Sequence, residues 1–208
     1  MKSGVKRLGE DGMFQHVRLE LLRRYGARET AHLWKQSGDL LEELLLTYRR
    51  PPRRERRYLE KNILPTVAVY QMLQATHPED AMDIMESVSK TAGTVTGGRL
   101  GKLISRPGMK GLFMWLFPKV TRRRFGASAG FRQEIAKVGR RAVMVDIYDC
   151  PCCRYCRDLG CPELTHIFCD SDGYSHGSLP GIRYQRTGTL AGGAARCSFT
   201  VERVRSKE

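Results

Sequence analysis

Charge and cysteine are unevenly distributed along this chain of 208 residues, and that asymmetry limits how it can fold. All seven cysteines lie between Cys150 and Cys197, and residues 142–208 hold eight basic and eight acidic side chains. The positive excess, +14 over the whole chain, is concentrated in earlier segments. We therefore expect a helical, basic region over 1–140 and a cysteine-rich α/β region over 141–208, together forming one compact domain.

The first region has the residue spacing of amphipathic helices. Phe14, Val17 and Leu21 recur at helical intervals and stop at Gly26, which suits a left-handed cap. A second helical run follows, with a break predicted at Ser37 and Gly38. The two prolines at 51 and 52 are expected to end it.

Further helices are predicted beyond these prolines. The segment 58–76 carries an apolar stripe, and Pro65 within it predicts a kink or a restart. Another helix begins near Pro78, where acidic residues favour a helix amino terminus. Because glycines recur after position 92, we expect 91–130 to be loosely structured, apart from a short apolar helix over 111–117.

The second region mixes strands with short helices. Strands are predicted over 142–148, 182–190 and 197–204, the last two joined by a turn at Gly192 and Gly193. Short helices are predicted over 153–159 and 162–168. The fold class is therefore α+β, with an amino-terminal layer of four or five helices packed on a small antiparallel β-sheet from the carboxy-terminal third.

Several features predict a cytoplasmic protein. The first twelve residues carry five charges and no apolar core, so we expect no secretory signal. The longest apolar run is six residues, 112–117, far short of the about 20 that cross a bilayer. Seven cysteines without an export signal favour reduced thiols over a disulfide framework.

The residues from Asp146 onwards, with a few upstream, carry a resemblance to a known family. The residues that carry it are Asp146-Ile147, Cys150-Pro151, Tyr155-Cys156, Gly160-Cys161, Glu163-Leu164, Phe168-Cys169, Asp172, the run 186–190, Gly193, Cys197 and Phe199, with Ile63-Leu64-Pro65, Val69-Tyr70 and Leu73 upstream. This pattern resembles the L-2-amino-thiazoline-4-carboxylic acid hydrolase family. Two departures are Ser198, where the family usually has Asp, and additional cysteines between 150 and 161.

The resemblance implies a hydrolase that opens a C–N bond of a small cyclic amidine or thiazoline-like amino-acid derivative, with no cofactor required. Such chemistry needs a nucleophile and a proton shuttle. Cys169 is the candidate nucleophile, and His166 would share its helix face. Asp172 is the candidate base or orienter of the imidazole, and Asp146 a further candidate acid. A surface role for His166 and a structural role for Cys169 remain open.

A second set of residues is expected to hold a small anionic, amino-acid-like substrate. It comprises Arg186, Thr187, Thr189 and Cys197. Strand alternation would place both threonines on one face and Arg186 on the other, unless a bulge intervenes. Pairing of Arg186 with Asp146 across the sheet is the structural alternative.

Two alternatives concern the cysteines. The spacing from Cys150 to Cys161 includes two C-x2-C pairs, which would suit zinc or an iron–sulfur cluster. The Gly-Gly turn followed by Cys-x-Phe also resembles small-molecule-binding domains related to 4-vinyl reductases. Under that interpretation, the chain is a sensor module that binds a ligand or metal without turnover.

Two basic segments need separate explanations. Residues 49–57 hold six arginines, yet no nucleic-acid-binding module is recognisable, so we expect solvated helix flanks, an acidic partner or a homo-oligomer. In residues 102–124, an apolar group over 112–117 lies between basic side chains. We expect this segment to be a lid or part of the core, because Trp115 and its neighbours favour burial. An alternative is that it lies on an anionic membrane surface.

Overall fold

A computed structural model describes residues 3–9, 12–138 and 141–204. Its helices are α1 (Gly4–Leu8), α2 (Gly12–Thr47), α3 (Arg53–Tyr58), α4 (Leu64–Thr76), α5 (Pro78–Ile104), α6 (Met109–Arg124), α7 (Pro151–Asp158) and α8 (Thr165–His176). Its strands are β1 (Arg132–Val138), β2 (Ala142–Asp149), β3 (Ile182–Gly188) and β4 (Cys197–Arg203). Within the described ranges, no helix combines the length and apolarity needed to cross a membrane.

The strands form one antiparallel sheet in the order β1-β2-β4-β3. The α+β class and the three strands predicted from sequence are confirmed. The first strand, β1, was missed because its polar, largely exposed residues resemble those of a loop. The boundary expected after residue 140, between the helical and the cysteine-rich regions, adjoins residues 139–140, which lie outside the described residues.

The helices cover one face of this sheet. Alternation turns Val143, Val145, Phe199 and Val201 to the same side, where all four are buried. Phe117 of α6 packs nearby against the His176 ring, which in turn stacks on Tyr184 of β3. The core therefore lies between the helical layer and this face of the sheet.

The predicted helix break at Gly26 is confirmed, and the one at Gly38 is wrong. Gly26 has φ 75° and ψ 179°, so two helical segments meet there within α2. Helix α2 continues through Gly38, which is buried against α1. A Cβ at Gly38 would lie 2.7 Å from the Val5 nitrogen, so this glycine serves close helix packing rather than helix termination.

The irregularity expected at Pro65 takes the form of a π-helical turn. Residues 59–63 form this turn, directly before the proline in the first turn of α4. Proline has no N–H to donate to the preceding turn, so the helix must adjust there. The adjustment leaves Lys61 and Asn62 facing the cavity described below.

The expectation of loose structure over 91–130 is wrong. Helix α5 runs without interruption to Ile104, and α6 spans 16 residues. Gly93 and Gly97 lie one turn apart on the buried side of α5, where α8 packs. A Cβ on Gly93 would lie 2.5 Å from the Tyr174 Cβ. These glycines therefore permit the close approach of α8 and do not end the helix.

The predicted burial of Trp115 is also wrong. Helix α6 buries Met114 and Phe117, whereas Trp115 remains 55% exposed. The end of α6 does reach the core, because Phe125 packs edge-on against Phe131.

Substituting two neighbouring glycines should separate close packing from helix propensity. We expect Gly93→Ala to lower the free energy of unfolding by about 1–3 kcal/mol, since its methyl group would displace α8. Gly98→Ala is the matched control, because no atom lies within 4 Å of its added Cβ. This change should raise stability by about 0.5–1 kcal/mol. Urea unfolding measures both, and equal effects would contradict the assigned packing.

Candidate active site

A cavity of about 400 Å³ lies between the helical layer and the covered face of the sheet. Five residues proposed from sequence line it: Cys169, Asp172, Arg186, Thr189 and Cys197. The other lining residues are Met13, Phe14, Tyr58, Lys61, Asn62, Thr66, Arg124, Phe125, Phe131, Ile147, Cys150, Cys152, Phe168, Ser171, Tyr184 and Phe199. The fold thus brings together residues from α8, β3 and β4 that are distant in sequence.

Two thiols meet in this cavity. The Cys169 thiol on α8 and the Cys197 thiol at the start of β4 form a hydrogen-bonded pair. The Leu190 N–H donates another hydrogen bond to the Cys197 sulfur at 3.2 Å. These hydrogen bonds outweigh burial and lower the pKa of Cys197 to about 7, while the first of them raises the pKa of Cys169. Cys197 is therefore the member of the pair that ionises.

A second group of thiols lies where β2 ends and α7 begins. Hydrogen bonds from Cys152 and Cys153 hold the pKa of Cys150 well below its usual range. The Cys152 sulfur is 3.6 Å from the Tyr58 hydroxyl oxygen. Cys150 and Cys152 both line the cavity, so a second thiolate-favouring cysteine faces the same space.

The remaining thiol pair, Cys156 and Cys161, lies in the core away from the cavity lining. The Cys156 thiol donates a hydrogen bond to Cys161, which lowers the pKa of Cys161. In the part of the chain that the structure describes, no three His, Cys, Asp or Glu side chains are grouped so that they could hold a metal ion. The zinc or iron–sulfur site suggested by the spacing stays a prediction.

Asp172 is the carboxylate of the cavity. Burial raises its pKa, although the nearby His176 and Arg186 oppose this effect. The His176 Nδ1 lies 3.0 Å from the Asp172 carbonyl oxygen, one helical turn away on α8. A raised pKa favours the protonated form of a carboxyl group, which is the form that a general acid needs.

Arg186 reaches the cavity but is bound to α8. Its Nη1 donates to the Cys169 carbonyl oxygen at 2.8 Å, and its Nη2 to Asp170 Oδ1 at 2.6 Å. The alternative pairing of Arg186 with Asp146 is wrong. These contacts join β3 to α8 beside the thiol pair, so Arg186 fixes the position of Cys169.

An irregularity in β3 decides which threonine faces the cavity. The register of β3 against β4 shifts between Arg186 and Gly188. Arg186 and Thr189 consequently both line the cavity. Thr187 is outside its lining and donates to the Ser198 carbonyl oxygen at 3.4 Å. The bulge that was left open from sequence is therefore present, and the two threonines do not share a face.

Asp146 is absent from the residues that line the cavity. It lies on β2 between Val145 and Ile147, whose side chains face the helices. Its Oδ1 is 3.3 Å from Arg196 Nε, and its cross-strand neighbour is Ser198. The Ser198 side chain, at the departure from the family pattern, therefore lies on the same face of the sheet as Asp146 and opposite to that of its chain neighbour Cys197.

His166 does not take part in this arrangement. Its Nδ1 is 2.5 Å from the Glu163 carbonyl oxygen, and its Nε2 is 3.0 Å from Glu86 Oε1. Both contacts hold the imidazole at the junction of α5 and α8 rather than beside Cys169. The surface interpretation of His166 agrees with this position.

Several cavity residues were missed from sequence. Tyr58, Lys61 and Asn62 come from the π-helical turn and the residue before it, and Arg124 from the end of α6. Lys61 and Arg124 form no ion pair with any described residue, so they give the cavity mouth a positive charge. Pro65 was the available signal for the turn, whereas nothing local indicated Arg124.

Alkylation of Cys197 tests the assigned thiol pair. Because the thiolate is the reactive form, the rate of Cys197 alkylation should rise with pH through a midpoint of about 7. Cys169→Ala removes the donor, so the midpoint should move up towards the ordinary value of about 8.5. Iodoacetamide labelling measures this, since trypsin isolates Cys197 in residues 197–203.

The control variant for this measurement is Cys156→Ala. It removes the donor from the other thiol pair and should leave the Cys197 midpoint unchanged. A Cys197 midpoint that does not move in Cys169→Ala would contradict the hydrogen bond between the two thiols.

Comparison with known proteins gives one family. A family model described as L-2-amino-thiazoline-4-carboxylic acid hydrolase matches residues 56–201. No curated protein and no solved structure matches the chain. The matched range includes the π-helical turn, the four cysteines that line the cavity, Asp172 and Arg186, and thus most of the cavity lining.

Proposed function

Because the chain belongs to the L-2-amino-thiazoline-4-carboxylic acid hydrolase family, we propose that its cavity hydrolyses a C–N bond of a small cyclic amidine, with Cys197 as the nucleophile. The observation that carries the proposal is the hydrogen-bonded pair of Cys169 and Cys197 in a cavity bordered by basic side chains. This differs from the role expected from sequence, in which Cys169 attacks.

The lowered pKa of Cys197 supports this assignment. A thiolate is a far better nucleophile than a thiol, and Cys197 is the thiol whose pKa lies near neutrality. Cys169 stabilises this thiolate by donating to it. Cys169 is thus a positioning residue, and Arg186 holds its carbonyl oxygen at 2.8 Å.

The basic residues indicate the kind of substrate. Lys61 and Arg124 border the cavity together with Arg186 and would attract the carboxylate of an amino-acid derivative. Phe125, Phe131 and Phe168 give the same cavity apolar walls that suit a small ring. A volume of about 400 Å³ accommodates such a molecule.

The first half of the reaction forms a covalent intermediate. The Cys197 thiolate attacks the carbon of a protonated cyclic amidine, and an S–C bond forms. The ring C–N bond then breaks, and Asp172, whose raised pKa favours the protonated form, gives its proton to the departing nitrogen. Together with the proton that the amidinium brought, this makes the departing nitrogen a neutral amine.

The second half restores the enzyme with one water molecule. The Asp172 carboxylate takes one proton from a water molecule, and the oxygen of that water attacks the carbon bound to Cys197. The S–C bond breaks and returns the thiolate, while the second proton of water goes to the free amine. The product carries a carbamoyl group where the amidine carbon was, and no external oxidant or cofactor is consumed.

Single substitutions distinguish the proposed roles, with 2-amino-thiazoline-4-carboxylate as the probe. Cys197→Ala should lose turnover. Asp172→Asn should lower kcat by about 10²- to 10⁴-fold, which is the usual contribution of a general acid. Cys169→Ala should retain turnover. Its turnover rate should be about tenfold lower at pH 7 and should recover as the pH rises above 8. Product formation is followed across pH 5–9.

The control for these variants is Cys161→Ala, which alters a buried thiol outside the cavity and should keep full turnover. Circular dichroism verifies that each variant is folded. Turnover that survives in Cys197→Ala but not in Cys169→Ala would reverse the two roles. Saturable binding without product in the unmodified protein would favour the sensor alternative.

A further inference from the structure

We propose that α6 and the end of α5 dock on the surface of an anionic phospholipid bilayer. The proposal concerns an outward face of the helical layer and does not depend on the chemistry at Cys197.

An apolar stripe runs along the exposed side of α6. Leu112, Trp115, Leu116 and Val120 follow at intervals of three, one and four residues, so they share one side of the helix. They are 42%, 55%, 37% and 47% exposed, respectively. Leu103 at the end of α5 is also exposed. Together with Leu112 and Leu116 it lines a groove between the end of α5 and α6. Exposed apolar side chains grouped in this way mark an interaction surface.

Positive charge surrounds this stripe. Residues 99–131 contain eight Lys and Arg residues and no Asp or Glu. Lys102 and Arg106 lie at the α5 end of the stripe and Arg122 and Arg123 at the other, and all four are exposed. None of these four forms an ion pair within the described ranges. Lys119 Nζ lies 3.3 Å from the centre of the Trp115 ring.

The combination favours a bilayer over other polyanions. A nucleic acid or an acidic protein surface would satisfy the cations, but would leave Trp115 and the leucines without an apolar environment. An anionic bilayer offers both, because its phosphates meet Lys and Arg while apolar side chains enter the boundary of the acyl chains. Tryptophan is the side chain most typical of that boundary.

The groove beneath the stripe gives this surface a connection to the interior. A second cavity of about 340 Å³ lies between the end of α5 and α6. It is lined by Leu103, Leu112 and Leu116 near the surface. Asp172 and Tyr184 line both this cavity and the cavity that contains Cys169 and Cys197. A molecule that partitions into the bilayer would therefore meet an apolar path towards Asp172.

The test uses the full chain with two kinds of vesicle, phosphatidylcholine alone and phosphatidylcholine mixed with phosphatidylglycerol. We expect co-sedimentation with the anionic vesicles only, weakening as salt is added. Tryptophan emission should shift to shorter wavelength on binding. The chain has two tryptophans, and Trp34 is buried, so Trp115→Phe should abolish the shift.

Two variants and a control complete the experiment. Trp115→Ala/Leu116→Ala should weaken binding at least tenfold, and Arg122→Gln/Arg123→Gln about fivefold for each arginine removed. Leu19→Ala/Leu46→Ala removes leucines of similar exposure on α2 and should bind like the unmodified chain. Equal binding by all variants, binding to neither vesicle, or binding to RNA without binding to vesicles would overturn the proposal.

Discussion

The site depends on how closely α8 lies against α5. Gly93 and Gly97 have no side chains to separate the helices, and a Cβ on Gly97 would lie 2.9 Å from the Ser175 carbonyl oxygen. At this separation, Ser89 donates to the Ile167 carbonyl oxygen across the interface at 3.2 Å. Helix α8 is thereby seated where Cys169 meets β4. Larger residues at these two positions would move Cys169 and Asp172 together, because both lie on the same rigid helix.

The thiol pair acquires its properties from this placement. A buried thiol ordinarily resists ionisation, yet Cys197 receives hydrogen bonds from Cys169 and from the Leu190 amide. Arg186 links the two halves of the arrangement, since it lies on β3 and holds α8 through Cys169 and Asp170. The lowered pKa of Cys197 therefore depends on the contact between α8 and the sheet, and no single segment of the sequence produces it.

Local signals predicted much of the fold, and contacts between distant segments decided the rest. Gly26 and the β3-β4 turn follow from conformational preferences, so the sequence located both. The glycines of α5 were misread because their role depends on α8, about 80 residues away. The bulge that turns Arg186 and Thr189 inward was only left open from sequence, because the pairing of β3 with β4 decides whether it forms. The family resemblance named Cys169 and Cys197 as candidates, whereas their pairing and the lowered pKa of Cys197 depend on the contact between α8 and β4.

The central claim, that Cys197 carries the covalent intermediate, is tested most directly by mass spectrometry. The protein is mixed with 2-amino-thiazoline-4-carboxylate, quenched with acid during turnover and digested with trypsin. Cleavage after Arg196 and Arg203 separates Cys197 from the other six cysteines. The account predicts a substrate-derived adduct on that peptide, lost when turnover is complete. An adduct confined to Cys169 or Cys150, or turnover without any adduct on Cys197, would contradict it.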